Sequence, residues 1–156
     1  MVNRLRLIYS KAAIARIFNV ALSRVKVVQV WWRVCFVIIE GQRPRFVSCQ
    51  AFLNNFVDWR KQQARELLTN RVKDNFFRVV NPKKATAYSL YAYQDSIDCS
   101  CEDYSNQIKF IGKGCCKHGY AVLHHLGFDR LKDYIEHHQW VSNEHSNEYL
   151  EDPAYF

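Results

Sequence analysis

Residues 97–123 read IDCSCEDYSNQIKFIGKGCCKHGYAVL, and this stretch carries the strongest chemical signal in the chain. Its skeleton is Cys99-x-Cys101, fourteen residues, then Cys116-x-His118. Thiolate and imidazole are the ligand types of a closed tetrahedral zinc site. Three sulfurs, one nitrogen and no oxygen suit zinc better than a hard cation. Alternate residues of a strand face the same side, so Cys99 and Cys101 can both point at one metal. The second pair then straddles a helix start, with Cys116 in the turn and His118 in the first helical turn. The doubled cysteine leaves Cys115-x-x-His118 as an alternative, with Cys116 preferred. His124 and His125 fall one or two turns further along the same helix. Cys35 and Cys49 read as ordinary core thiols.

Upstream of this stretch, residues 76–80 (FFRVV) and 86–94 (TAYSLYAYQ) read as strands joined by a turn at Asn81-Pro82-Lys83-Lys84. Downstream, residues 117–126 read as a helix closed by Gly127, and residues 129–140 as another with Leu131, Tyr134, Ile135 and Trp140 on its apolar side. The tail from Glu144 holds four acids and no base, and is expected to fray.

With CSCEDY at 99–104 and CCKHGYAVL at 115–123, the region resembles a SWIM zinc finger, whose pattern is CxC, a variable gap, then CxH. The resemblance covers roughly residues 76–126, about a third of the chain. It implies zinc ligation by Cys99, Cys101, Cys116 and His118. Tyr88 and Tyr91 fall where SWIM domains have a β-hairpin, Asp103 and Tyr104 match the loop after the first pair, and Gly119 through Leu123 match the following helix. SWIM domains occur in Mutator-like transposases, chromatin-associated ATPases, a ubiquitin ligase and partners of recombinase paralogues. The resemblance therefore implies DNA binding or protein–protein contact, and does not choose between them.

Residues 1–75 match no family pattern. Residues 10–22 read as a helix capped by Ser10. The run 24–39 (RVKVVQVWWRVCFVII) is rich in β-branched and aromatic residues and reads as a strand. A turn at Glu40–Pro44 returns it as residues 45–48, which makes a hairpin. Residues 49–69 read as a long helix capped by Ser48, with Phe52, Phe56, Trp59, Gln63 and Leu67 at helical spacing. The expected fold is α+β: an N-terminal helix–hairpin–helix unit (1–75) packed with a small zinc-bound hairpin and helix (76–128), then a C-terminal helix and acidic tail (129–156).

The formal charge is +7 over 156 residues, unevenly spread. Residues 1–39 hold seven Lys or Arg and no acid, whereas residues 99–156 hold five bases and nine acids. A basic body points to an anionic partner, with nucleic acid first, and DNA ahead of RNA. Candidate phosphate contacts are Arg24, Lys26 and Arg33 on the hairpin, Arg60, Lys61 and Arg65 on the long helix, and Lys83 and Lys84 in the turn. Tyr88, Tyr91 and Tyr93 could stack bases if exposed. The competing expectation is a protein adaptor, since Trp31, Trp32, Trp59 and Trp140 are many large apolar groups for one small chain.

A closed metal site leaves no position for a catalytic water. No phosphate-binding glycine loop appears, so no enzyme and no small-molecule substrate are expected. No apolar run reaches the ~18 residues of a membrane span. Metal-type cysteine spacing without a secretory signal points to a reducing, intracellular compartment, whether cytoplasm, nucleus or nucleoid.

Overall fold

The structure, a computed structural model, describes residues 3–148, apart from the side chains of Arg4 and of residues 144–148. It is mixed α and β, with two small antiparallel sheets, and divides into two compact units. One comprises residues 1–62 and 106–114; the other comprises 63–105 and 115–156.

The first unit opens with helices α1 (Arg4–Ile8) and α2 (Lys11–Ile17). Ser10 caps α2 as expected, its hydroxyl accepting the Ala13 N–H at 3.1 Å. A single 3-10 turn (Leu22–Arg24) leads into the three-stranded sheet β1 (Val25–Val30), β2 (Val34–Ile39) and β3 (Arg45–Ser48), paired in chain order. The run 24–39 is thus two strands and not one. Its reversal falls at Trp31-Trp32-Arg33, where the Trp31 N–H donates to the Val34 carbonyl at 2.9 Å. Strand alternation decides the faces. Val25, Cys35, Val37, Ile39 and Val47 turn inward onto Ile14 of α2 and Phe52 of α3 (Cys49–Ala64). Phe52 is fully buried, and truncating such a ring to alanine typically costs about 3–5 kcal/mol.

Helix α3 begins where expected, with the Ser48 hydroxyl accepting the Ala51 N–H at 3.2 Å. It stops at Ala64, short of 69, because Leu68–Lys73 forms strand β4. Strand β4 pairs with β5 (Phe76–Asn81), β5 with β6 (Thr86–Ala92), and β6 with β7 (Ile97–Cys99), all antiparallel. Residues 63–75, grouped by the sequence reading with the N-terminal unit, therefore belong with the second sheet. The fourteen-residue gap between the ligand pairs is largely helix α4 (Glu102–Ile111). Helix α5 (Lys117–His125) packs against the second sheet, whose inward residues Phe77, Val79, Leu90 and Ile97 are buried. Gly127 takes the left-handed φ of +88° just beyond α5 and donates to the His124 carbonyl, the closure expected of a glycine there. Helix α6 (Leu131–Glu148) extends into the stretch expected to fray; residues 149–156 of that tail lie outside the described residues. Among the described residues no helix is long and apolar enough to cross a membrane.

Candidate metal centre

The register of β6 and β7 aims the first pair. Leu90 stands opposite Cys99 on the inward face. The ladder continues one residue past the strand, because the Ser100 N–H donates to the Ser89 carbonyl at 3.1 Å and the Ser100 hydroxyl accepts the Ser89 N–H at 3.2 Å. Ser100 thus faces outward and Cys101 inward, and both sulfurs of the pair are buried. Each of two ligands also sits at the start of a helix. Cys101 immediately precedes α4, and its sulfur accepts the Tyr104 N–H at 3.4 Å. Cys116 caps α5, and its sulfur accepts the Gly119 N–H at 3.4 Å. Backbone N–H groups at helix starts favour a thiolate over a thiol.

The four groups converge. One ligand atom each from Cys99, Cys101, Cys116 and His118 lie within 4.8 Å of one another, and all four residues are buried. His118 Nδ1 is 3.7 Å from both Cys99 Sγ and Cys116 Sγ. A tetrahedral zinc with ordinary bond lengths would separate its sulfur and nitrogen ligands by about 3.6 Å. The cluster can therefore hold one metal ion, and the donor set fits a zinc finger. Cys116, not Cys115, belongs to this quartet; the Cys115 thiol is buried behind it and lies toward the Cys116 carbonyl at 3.9 Å. His124 is exposed, and His125 meets the edge of Phe77 at 5.9 Å between ring centroids. Cys35 is a core thiol, pushed up to about 12 by burial and by neighbouring Cys49.

Without metal the three sulfurs share protons. The Cys101 thiol is pulled far below its ordinary range, first by a hydrogen bond from Cys116 and then by one from Cys99. Cys99 is correspondingly pushed up to about 12, chiefly by its hydrogen bond to Cys101, and Cys116 is raised by its hydrogen bonds to Cys101 and Cys99. A divalent cation would replace the shared protons and neutralise the sulfurs together.

Three further residues shape the site in ways the sequence did not announce. The Tyr88 ring lies 4.2 Å from the His118 ring, centroid to centroid, and His118 Nε2 is buried with no hydrogen-bond partner. Tyr88 thus covers the face of the imidazole, while the outer hydrogen bond that a ligating histidine ordinarily makes is not formed. The Tyr104 hydroxyl donates to Asp98 Oδ1 at 2.6 Å and ties α4 to β7 across the ligand pair; burial and Asp98 hold that phenol above its ordinary range, so it remains a donor. A Cβ on Gly119 would come within 2.9 Å of Cys115 Sγ and 4.0 Å of Cys116 Sγ. The only sequence trace of this is a glycine directly after a Cys-x-His pair.

The eight basic candidates are divided between the two units. Arg24, Lys26, Arg33, Arg60 and Lys61 lie in the first unit; Arg65, Lys83 and Lys84 lie in the second. Arg60 is withdrawn as a phosphate contact. It is 5% exposed, its guanidinium lies 3.7 Å over the Phe56 ring, and it donates to the Phe56 carbonyl at 2.9 Å. Arg24 is exposed but bonded to the Glu40 carbonyl, Lys26 is paired with Glu40 at 3.2 Å, and Lys83 with Glu66 at 3.0 Å. Lys61 is half-buried, whereas Arg33, Arg65 and Lys84 are exposed. Of the tyrosines, Tyr88 is committed to His118, while Tyr91 and Tyr93 are each 44% exposed and stack on one another.

Charge, by contrast, separates sharply between the units. Residues 1–62 and 106–114 carry thirteen bases and two acids, a net +11, while the metal-bearing unit carries nine bases and thirteen acids, a net −4. No protein-family model, no curated protein and no solved structure matches this chain.

Proposed function

We propose that this chain is a non-enzymatic, zinc-stabilised nucleic-acid-binding accessory protein, intracellular and acting on DNA, whose second unit is a SWIM-like finger. Zinc follows from the donor chemistry: three sulfurs and one imidazole nitrogen, buried, with no oxygen ligand and no position left for substrate. The SWIM reading rests on the CxC…CxH order, with strands before the first pair and helix α5 after the second. The observation that carries the nucleic-acid reading is the charge division, which gathers a net +11 into the unit that does not hold the metal. In this reading the metal stabilises one unit and the other supplies the field that attracts phosphate.

The test is metal content by elemental analysis, joined to a salt titration of binding to single- and double-stranded oligonucleotides. One zinc per chain and affinity that falls steeply with salt are expected. One zinc with no binding at low salt would favour the adaptor reading instead. That second reading has its own support in Trp32, 92% exposed, and Trp140, 59% exposed, since large apolar side chains in solvent mark contact surfaces.

A further inference from the structure

The outward face of the first sheet carries three aromatic rings in mutual contact. Phe36 on the central strand pairs directly with Phe46 on β3, and their ring centroids are 5.6 Å apart. Trp31, at the end of β1, lies 5.9 Å from Phe36 in a stacked arrangement and 5.1 Å from Phe46. These rings are not core: Trp31 is 49% and Phe46 57% exposed. Trp32, the next residue in the β1–β2 turn, is almost wholly in solvent and lines a separate depression with Leu5, Tyr9 and Val30. Burying such rings would be favourable, so leaving them in water costs stability that a core position would recover. Arg33 follows Trp32 in the turn, and Arg43 stands exposed in the turn leading to β3. Acids are scarce around them: the unit holds only Glu40, already paired with Lys26, and Asp58.

We infer that this face binds single-stranded DNA, with bases stacked on Trp31, Phe36 and Phe46 and phosphates held by Arg33 and Arg43. The inference rests on the nucleic-acid reading above and locates its site. A duplex hides its base faces, whereas a single strand offers them, and an exposed aromatic cluster in a positive field suits the second. Charge selects this face over the exposed Tyr91 and Tyr93 of the second unit, which has no basic excess and where Tyr91 stands opposite Asp98. Gln29, opposite Phe36, is exposed in register with the rings. The choice of DNA is carried over from the reading above.

The experiment uses the full zinc-loaded chain and fluorescein-labelled dT15, rU15 and a 15-base-pair duplex, followed by anisotropy at several salt concentrations. The expected result is dT15 bound more tightly than duplex, with roughly tenfold loss for Trp31→Ala or Phe46→Ala and little change for Trp32→Ala, which lies outside the ring cluster. Arg33→Ala should lower the slope of log affinity against log salt by about 0.7. Phe46→Ala keeps the test decisive if Trp31→Ala folds poorly, since a ring more than half exposed contributes little to the core. Ring variants that bind dT15 as wild type does, or duplex preferred over dT15, would overturn the platform and leave the nucleic-acid reading standing. Tighter binding of rU15 would overturn the choice of DNA. A dimer in sedimentation that Trp31→Ala dissociates would assign the face to a second copy of the chain. No binding of any oligonucleotide at low salt would remove the nucleic-acid reading and this site with it.

Discussion

Replacing Gly119 by alanine tests whether the metal site has been assembled from the right parts. Gly119 is the third residue of α5, and an ordinary helix gains up to about 1 kcal/mol when glycine becomes alanine. Here the new Cβ would sit 2.9 Å from Cys115 Sγ, well inside the ~3.5–4.0 Å of ordinary contact. The sulfur is buried and moves only by turning its single side-chain torsion, next to a residue whose own sulfur faces the metal. Overpacking of this kind costs about 1–3 kcal/mol, so the net effect is a loss of roughly 0–2 kcal/mol. Metal binding and folding are coupled in small zinc units, so a 1 kcal/mol loss appears as about fivefold weaker zinc affinity. Competition against a chromophoric chelator reads this directly. The sharper form is a double-mutant cycle. In a Cys115→Ala background the clash has no partner, and Gly119→Ala should become neutral or favourable. An equal change in zinc affinity for Gly119→Ala in both backgrounds would refute the close approach as the reason for glycine here.

Cys99→Ser or His118→Ala should abolish metal binding and expose residues 97–125 to hydrogen exchange, whereas Cys115→Ser should retain the metal, because Cys115 lies outside the quartet. Cys99 and Cys116 are held above the ordinary thiol range by their hydrogen bonds within the trio, and must lose their protons to bind a cation. Apparent zinc affinity should therefore fall as pH is lowered through neutrality, measurable in the same chelator assay. Gly114→Ala should destabilise the first unit by about 1–3 kcal/mol in denaturant unfolding, since its Cβ would come within 2.6 Å of the Cβ of buried Gln107.

What the sequence determined by itself was local. The four ligands could be read because two-residue spacings on a strand and at a helix start fix which side chains share a face. The caps at Ser10 and Ser48, the turn at Asn81–Lys84 and the closing Gly127 were legible for the same reason: each signal and its hydrogen bond lie within a few residues of one another. Strand β4 was hidden because Leu67 and Leu68 continue the helical spacing of α3, and only pairing with β5 shows where the helix gives way. The reversal at Trp31-Trp32-Arg33 has no glycine, proline, asparagine or aspartate to mark it, and its reason is the register between β1 and β2. Helix α4 was legible in principle, with Glu102 and Asp103 in its first turn and Lys109 in its last, but a gap between ligand pairs invites reading as loop. Tertiary structure alone decided the rest. It buried Arg60 against Phe56, chose Cys116 over Cys115, and set Tyr88 against His118. It also gathered residues 106–114 with 1–62. Burial and ring contact depend on residues distant in sequence, and no local pattern carries them.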